Sequence, residues 1–203
     1  MGRKSDARRH LIDAAHELIW EYSYGAITID AICERAAVKK GSFYYFFDSK
    51  SDLVLATIDD WWAARLVIIK EIFRPEVPPL DRLRRYFDLV SKNQCAQFDE
   101  HGHILGCPIF TLGSEISNQD EVIRLRIHEI LLTGTDYFEQ AIAEAQESGE
   151  VEGHGAALKA RKLMSYYEGY LTKARIENNV EAVRNLSSEV LEVIGVYSNT
   201  VAH

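Results

Sequence analysis

Residues 38–47 read Val-Lys-Lys-Gly-Ser-Phe-Tyr-Tyr-Phe-Phe, so five aromatic residues directly follow two lysines, a glycine and a serine. A buried strand accommodates the rings but not the lysines, and a surface helix accommodates the lysines but not every ring. A short helix with two different faces accommodates both, because Phe43, Phe46 and Phe47 lie three or four residues apart and share one face. The stretch therefore predicts a short helix that is anchored by phenylalanines and presents polar groups on its other side.

The residues before this stretch predict two more helices. Apolar residues repeat at spacings of three and four over residues 6–23. Thr28 precedes a second, shorter apolar pattern and is a natural N-cap. Two short helices joined by a tight turn, after a longer supporting helix, form a helix-turn-helix, whose second short helix enters the major groove of DNA. We therefore expect residues 39–45 to be a recognition helix.

The rest of the chain predicts a larger helical domain, and the fold class is predicted to be all-α. Pro75, Pro78 and Pro79 end a helix that is predicted over residues 49–73. No stretch of useful length alternates as a strand would. The domain boundaries are predicted as 1–48, a three-helix helix-turn-helix domain, and 49–203. Further helices are predicted at 80–98, 108–117, 120–148, 155–178 and 181–199.

Composition narrows the class of protein. The net charge is −8, but residues 1–50 hold a small excess of Lys and Arg, whereas the remainder is strongly acidic. No apolar run is long enough to cross a bilayer and no signal core is present, so we expect a cytoplasmic protein without a membrane partner. No nucleotide-binding, hydrolase or metalloprotease motif occurs, and we therefore expect no enzyme and no cofactor.

The segment 28–53, TIDAICERAAVKKGSFYYFFDSKSDL, resembles the DNA-binding signature of TetR/AcrR-family transcriptional regulators. Several residue types agree with that signature at fixed spacing, and the resemblance covers about residues 8–55. Cys33, Ala37 and Phe46 depart from it; Ala37 replaces the usual glycine of the turn. The resemblance implies a homodimeric repressor that leaves a palindromic DNA operator when a small-molecule effector binds.

Two groups of DNA contacts follow from the residue types and from the resemblance. Lysines can reach phosphates or guanine edges, and hydroxyl groups can donate to phosphate oxygens. The residues expected against the groove are Lys39, Lys40 and Gly41. The residues expected at phosphates are Thr28, Ser42, Tyr44, Tyr45 and Lys50.

The resemblance also implies that the domain 49–203 binds the effector and forms the dimer. Aromatic residues at helical spacing line a pocket or fill a core, and both interpretations stay open here. Dimerisation is expected through the helices 155–178 and 181–199, unless their apolar stripes face the core of the same protomer. The candidate effector-binding residues are Trp61, Trp62, Phe87, Cys107, Phe110, Tyr137, Tyr166 and Tyr170.

Cys107 has two interpretations. The stretch 106–116 resembles a Gly-Cys stretch of one TetR subgroup, some of whose members respond to aldehydes, quinones or oxidants. At a helix start the dipole favours the thiolate, so Cys107 is a candidate sensor of electrophiles or oxidants. Alternatively it is a small packing residue. His101 and His103 have poor spacing for a metal site with Cys107, and no metal is expected.

Overall fold

The structure, a computed structural model, describes residues 2–116 and 118–196, with side chains from residue 6 onward. No strand occurs among these residues, and the predicted all-α class is confirmed. The helices are α1 (Gly2–Glu21), α2 (Ile29–Arg35), α3 (Lys40–Phe46), α4 (Lys50–Ile72), α5 (Pro79–His101), α6 (Pro108–Ile116), α7 (Glu121–Glu147), α8 (Ala156–Glu177), α9 (Val180–Arg184) and α10 (Leu186–Glu192).

The prediction of one continuous helix over 181–199 is wrong. Helix α9 ends at Arg184 and α10 begins at Leu186, with Asn185 at φ −92° and ψ 2° between them. The Asn185 N–H is shared between the carbonyls of Glu181 and Ala182, which tightens the chain and interrupts the helical ladder. Residues 197–199 of the predicted helix lie outside the described part of the chain.

The chain divides into two compact units. Unit 1 comprises residues 1–65 and 108–129, and unit 2 comprises residues 66–107 and 130–203. The boundary predicted between residues 48 and 49 stays a prediction. None of the helices in the described ranges combines the length and hydropathy that crossing a bilayer requires.

The core of unit 1 joins α1, α2 and α3. Phe43 is completely buried there and Phe47 almost completely, while Phe46 packs against the same core from its edge. On the surface, Arg35 of α2 pairs with Glu17 and Glu21 of α1. Burial of a phenylalanine side chain contributes about 1.5–3 kcal/mol, which offsets the low intrinsic stability of so short a helix as α3.

The turn between α2 and α3 is a Schellman motif with alanine in the position that favours glycine. The Val38 N–H donates to the Cys33 carbonyl and the Ala37 N–H to the Glu34 carbonyl. Ala37 therefore adopts a left-handed conformation with φ 52°. The turn therefore keeps its usual geometry although alanine replaces the glycine of the family signature. The replacement has an energetic cost, because an L-residue with a Cβ is strained in this conformation.

Unit 2 packs α9 and α10 on α5 and α8. The apolar stripes of the helices predicted over 155–178 and 181–199 are buried within the protomer, apart from the half-buried Ala156, in agreement with the alternative that they face the core of the same protomer. Tyr197, which continues the apolar spacing of Val183, Leu186, Val190 and Ile194 in the sequence, lies outside the described residues. The buried stripe residues are Ala160, Leu163, Tyr167, Leu171, Ala174, Val183, Leu186, Val190 and Ile194.

Replacing Ala37 by glycine is expected to stabilise the protein by about 0.5–1 kcal/mol, because the strain relieved exceeds the added entropy of the unfolded chain. Ala36, the preceding residue, has φ −76° and serves as the matched control. Ala36→Gly is expected to destabilise by about the same amount. Urea denaturation of the three proteins measures both changes, and a loss of stability in Ala37→Gly would contradict the strain.

Candidate DNA interface and effector site

One face of α3 is open to solvent and carries hydrogen-bonding groups. The side chains of Tyr44 and Tyr45 are 52% and 64% exposed, and Lys39 at the N-cap is exposed. A Cβ added to Gly41 would meet no atom within 4 Å, so the backbone of this turn is accessible at close range. The structure therefore brings Lys39, Gly41, Tyr44 and Tyr45 to the open side of one short helix.

The buried face of α3 keeps these groups pointing outward. The ring of Tyr44 meets the edge of Phe43 at 5.2 Å between centroids, and Phe43 is anchored in the core. The Arg8 guanidinium lies over the Phe47 ring at 5.5 Å. Ser42 is half-buried, between the two faces. The two-faced helix that the sequence predicts is thus present.

Lys40 and Thr28 already have partners in unit 1. Lys40 Nζ lies 2.7 Å from Asp30 Oδ1 on α2, and this hydrogen bond raises the pKa of Lys40. Both side chains are largely exposed, so a phosphate can replace the carboxylate at little cost. Thr28 Oγ1 accepts from the Ala31 N–H at 3.1 Å, which confirms the predicted cap, and its hydroxyl hydrogen remains a donor.

Lys50, a predicted phosphate contact, binds the protein itself. Its ammonium donates to the carbonyls of Tyr24 and Ile27, at 3.0 Å each, and lies 3.9 Å from the centre of the Tyr24 ring. Burial lowers the pKa of Lys50, and the charge of Glu115 opposes that shift. The phosphate contact stays a prediction, beside an observed structural role.

Glu115 of α6 holds the same turn from its donor side. Its carboxylate accepts from the backbone N–H groups of Tyr24, at 2.8 Å, and Gly25, at 2.7 Å. These residues belong to the 3₁₀ turn Tyr24–Ala26 between α1 and α2. We call Lys50 and Glu115 the turn clasp. The sequence contains no local signal for it, because Glu115 is about 90 positions away from its partners.

The eight candidate effector-binding residues are divided between the two units. Trp61, Trp62 and Phe110 belong to unit 1, and the other five belong to unit 2. Phe87 and Tyr137 share an aromatic cluster made of Phe73, Tyr86, Phe87, Tyr137, Phe138 and Tyr167.

The remaining candidates have separate surroundings. Tyr166 lies beside Tyr170, whose hydroxyl donates to the Ala182 carbonyl at 3.0 Å. Trp61 and Trp62 stack on each other at 6.3 Å between centroids, and Trp62 is buried. These tyrosines and tryptophans are therefore anchored in their own units.

Cys107 meets a buried carboxyl group that the sequence reasoning missed. Glu168 of α8 is 3% exposed, and its side chain is hydrogen-bonded to Cys107. Burial raises the pKa of Glu168 to about 7, against which the Cys107 bond acts weakly. The second carboxyl oxygen, Oε2, has no hydrogen-bond partner among the described residues. The sequence contains one signal for this buried carboxyl group, because Glu168 directly follows Tyr167 of the apolar stripe on α8.

The backbone before Cys107 is fixed by a buried amide. Gln94 accepts from the Gly106 N–H and donates to the Gly106 carbonyl, at 3.0 Å in both bonds. Cys107 itself is half-buried and is followed by Pro108, the first residue of α6. Among residues 2–116 and 118–196, no three His, Cys, Asp or Glu side chains come together as a possible metal site. The Cys107 thiol and the Glu168 carboxyl group thus form a hydrogen-bonded pair, next to a backbone segment that Gln94 holds in place.

Glu168 is expected to make the stability of the protein depend on pH. Its folded pKa of about 7 exceeds the ordinary 4.5, so the folded state holds the proton more tightly. The stabilisation is complete below pH 4.5 and is lost as the pH rises to about 7, a change of about 3 kcal/mol. Denaturation at several pH values should show this fall in the wild type.

The variant Glu168→Gln isolates that contribution, because other groups titrate in the same range. We expect the stability difference between wild type and variant to change by about 3 kcal/mol in favour of the variant between pH 4.5 and 7. Glu177→Gln, on the same helix and exposed, is the control. A difference that stays constant with pH would contradict the buried, protonated carboxyl group.

Two family models match the chain. The description of the first is "Bacterial regulatory proteins, tetR family", and it matches residues 11–57. The description of the second is "Tetracyclin repressor-like, C-terminal domain", and it matches residues 79–189. The first match contains α2 and α3 and the second contains Cys107 and Glu168.

Individual proteins agree with the family models. The transcriptional regulator AcuR of Cereibacter sphaeroides is 30% identical over 84% of this chain and 77% of its own. The HTH-type transcriptional repressor DhaR of Mycobacterium sp. is 26% identical over 94% of this chain and 93% of its own. The crystal structure of a regulatory protein TetR from Rhodobacter sphaeroides superposes with a TM-score of 0.81, at 26% identity over 92% of this chain and 98% of that one.

Proposed function

The chain belongs to the tetR family of bacterial regulatory proteins, and we propose that it is a repressor released from a palindromic operator by a small-molecule effector. The observation that carries the DNA-binding part is the open face of α3, where Lys39, Gly41, Tyr44 and Tyr45 are exposed to solvent on a helix anchored by Phe43. We propose that the protein acts in the cytoplasm, where bacterial DNA lies, and without catalytic turnover.

In this proposal Lys39, Lys40 and Gly41 face the major groove. The hydroxyl groups of Thr28, Ser42, Tyr44 and Tyr45 donate to phosphates and set the register of α3 on the duplex. Lys40 exchanges Asp30 for a phosphate, and Lys50 adds one N–H to a phosphate while its other two hold the turn. Residues 1–48 are the DNA-binding domain and residues 49–203 bind the effector and dimerise.

A second copy of the chain is proposed to cover the outer face of α8. Leu158 and Ile176 are 51% and 79% exposed on that helix, with Tyr166 between them at 38%. A Cβ on Gly169 would meet no atom within 4 Å, so this face is also open for close approach. Dimerisation would place two α3 helices at half-sites about 34–36 Å apart, which palindromic operators require.

Effector control is proposed to reach the DNA through α4. This helix begins at Lys50 of the turn clasp and continues into unit 2. An effector that binds unit 2 and favours a shifted α4 would also shift the turn that Lys50 holds. The ligand must prefer the DNA-incompetent state, since equal affinity for both states changes nothing. Glu168 Oε2 offers such a ligand a buried acceptor.

The double variant Lys39→Ala/Lys40→Ala is expected to lose DNA affinity. If each lysine neutralises one phosphate, the slope of log K against log salt shrinks by about 0.9 per contact, or about 2 per protomer. Fluorescence anisotropy on 30-base-pair duplexes, selected by the protein from a random pool, measures the slope. Lys70→Ala/Lys92→Ala removes two exposed lysines of unit 2 and should leave it unchanged. An unchanged slope in the first variant would refute the α3 interface.

A second candidate function is a regulator that senses electrophiles or oxidants through Cys107. The observation that favours it is the hydrogen bond between Cys107 and Glu168, because a carboxyl group with a pKa near 7 can accept the thiol proton. Cys33, by contrast, is buried, and burial raises the pKa of its thiol. The reactive form of a cysteine is the thiolate, so Cys107 is the better placed of these two.

The substitution Cys107→Ser distinguishes the two candidate functions by its effect on release from DNA. For sensing through Cys107, iodoacetamide should release wild-type protein from its selected duplex and leave Cys107→Ser bound. Cys95→Ser, another half-buried thiol, is the control and should behave as the wild type. Mass spectrometry locates the alkylated cysteine. Equal release of wild type and Cys107→Ser would exclude sensing through Cys107. The repressor released by a reversibly bound small molecule would then remain as the proposed function.

A further inference from the structure

A cleft in unit 1 lies among α1, α4 and α6. It contains about 300 Å³ of empty space including its open mouth, and its interior of about 20 Å³ holds roughly one water-sized group. The lining is almost entirely apolar. The lining includes His16, Ile19, Thr57, Trp61 and Leu112.

His16, which lines the cleft, carries a ring nitrogen whose hydrogen-bonding capacity is unused. His16 Nε2 is buried and has no partner among the described residues, and the same holds for Nε1 of the neighbouring Trp20. The two rings meet edge to face at 4.9 Å between centroids. Thr57, which also lines the cleft, already donates its hydroxyl to the Leu53 carbonyl at 2.8 Å. Buried polar atoms are rarely left unsatisfied, so His16 marks a place for a polar ligand group.

The charge of His16 restricts the chemistry of that group. Burial lowers the pKa of His16, although the carboxylates of Asp13, Asp60 and Glu17 oppose the shift. The imidazole is therefore neutral near pH 7, and its Nε2 either donates or accepts according to the tautomer. A hydroxyl group both donates and accepts, so it satisfies either tautomer. The nearby carboxylates disfavour an anion in the same place.

We propose that this cleft binds a compact aromatic alcohol of the phenol type, with the hydroxyl on His16 Nε2 and the ring against Trp61 and the apolar wall. The interior admits a group of hydroxyl size, and the wider mouth takes the ring. Because α4 and α6 carry the turn clasp and α1 supports α3, such a ligand acts within the DNA-reading unit. This inference rests on the fold of unit 1 and is independent of the effector response proposed above.

Titration of the full chain with phenol and with toluene tests the site. Toluene has nearly the same shape and lacks the hydroxyl. Tryptophan fluorescence, supported by saturation-transfer NMR of the ligand, measures both affinities. We expect saturable phenol binding that is at least about tenfold tighter than toluene binding, as one buried hydrogen bond provides. Equal affinities, or no saturable binding of phenol, would overturn the proposal. A bridging water would then be the hydrogen-bond partner of His16 Nε2.

Variants separate the hydrogen bond from the cavity. His16→Phe keeps a ring but removes the nitrogen, and phenol should then bind no better than toluene. Leu112→Trp fills the cleft and should abolish both; if it does not fold, Ile19→Phe, at a half-buried lining position, replaces it. His128→Phe, at an exposed position on α7, is the matched control and should bind as the wild type. A retained phenol preference in His16→Phe would also overturn the assignment.

Discussion

The orientation of the DNA-reading helices depends on the turn clasp. Lys50 binds two carbonyls of the turn between α1 and α2, and Glu115 binds two of its N–H groups. Four backbone groups of one short turn thus bond to charged side chains of two other helices, and hydrogen bonds to charged groups contribute about 1.5–3 kcal/mol each. Helix α2 begins three residues after the turn, so its direction, and that of α3 packed on it, follows from the clasp.

Burial decides which role each charged residue type takes in this protein. Lys39 is exposed and available to a phosphate, whereas Lys50 is half-buried and serves the backbone. Glu115 accepts hydrogen bonds from two backbone N–H groups. Among the described residues, the Glu168 carboxyl group has only the Cys107 thiol as a partner, and burial raises its pKa to about 7. Residues of the same type therefore take different proposed roles, in DNA contact or in sensing, because they differ in exposure to solvent.

Features of the fold that depend on residues close together in the chain could be predicted from the sequence. The two faces of α3 follow from helical spacing around Phe43, and the Thr28 cap follows from its place before an apolar pattern. Contacts across long sequence separations carry no such pattern, so Glu115 and the Glu168–Cys107 pair were not found. The break at Asn185 was missed because an apolar stripe of helical spacing continues through it, and tertiary packing of α9 and α10 on α5 and α8 preserves that stripe across two helices.

The central proposal is that the clasp positions α3 for DNA. The direct measurement is the affinity of Glu115→Leu for its selected duplex, compared with Glu121→Leu, an exposed control on α7. With helix content unchanged by circular dichroism and faster amide exchange at Tyr24 and Gly25, we predict a loss of at least about tenfold in affinity, or about 1.4 kcal/mol. An unchanged affinity, with those amides exchanging freely, would contradict it.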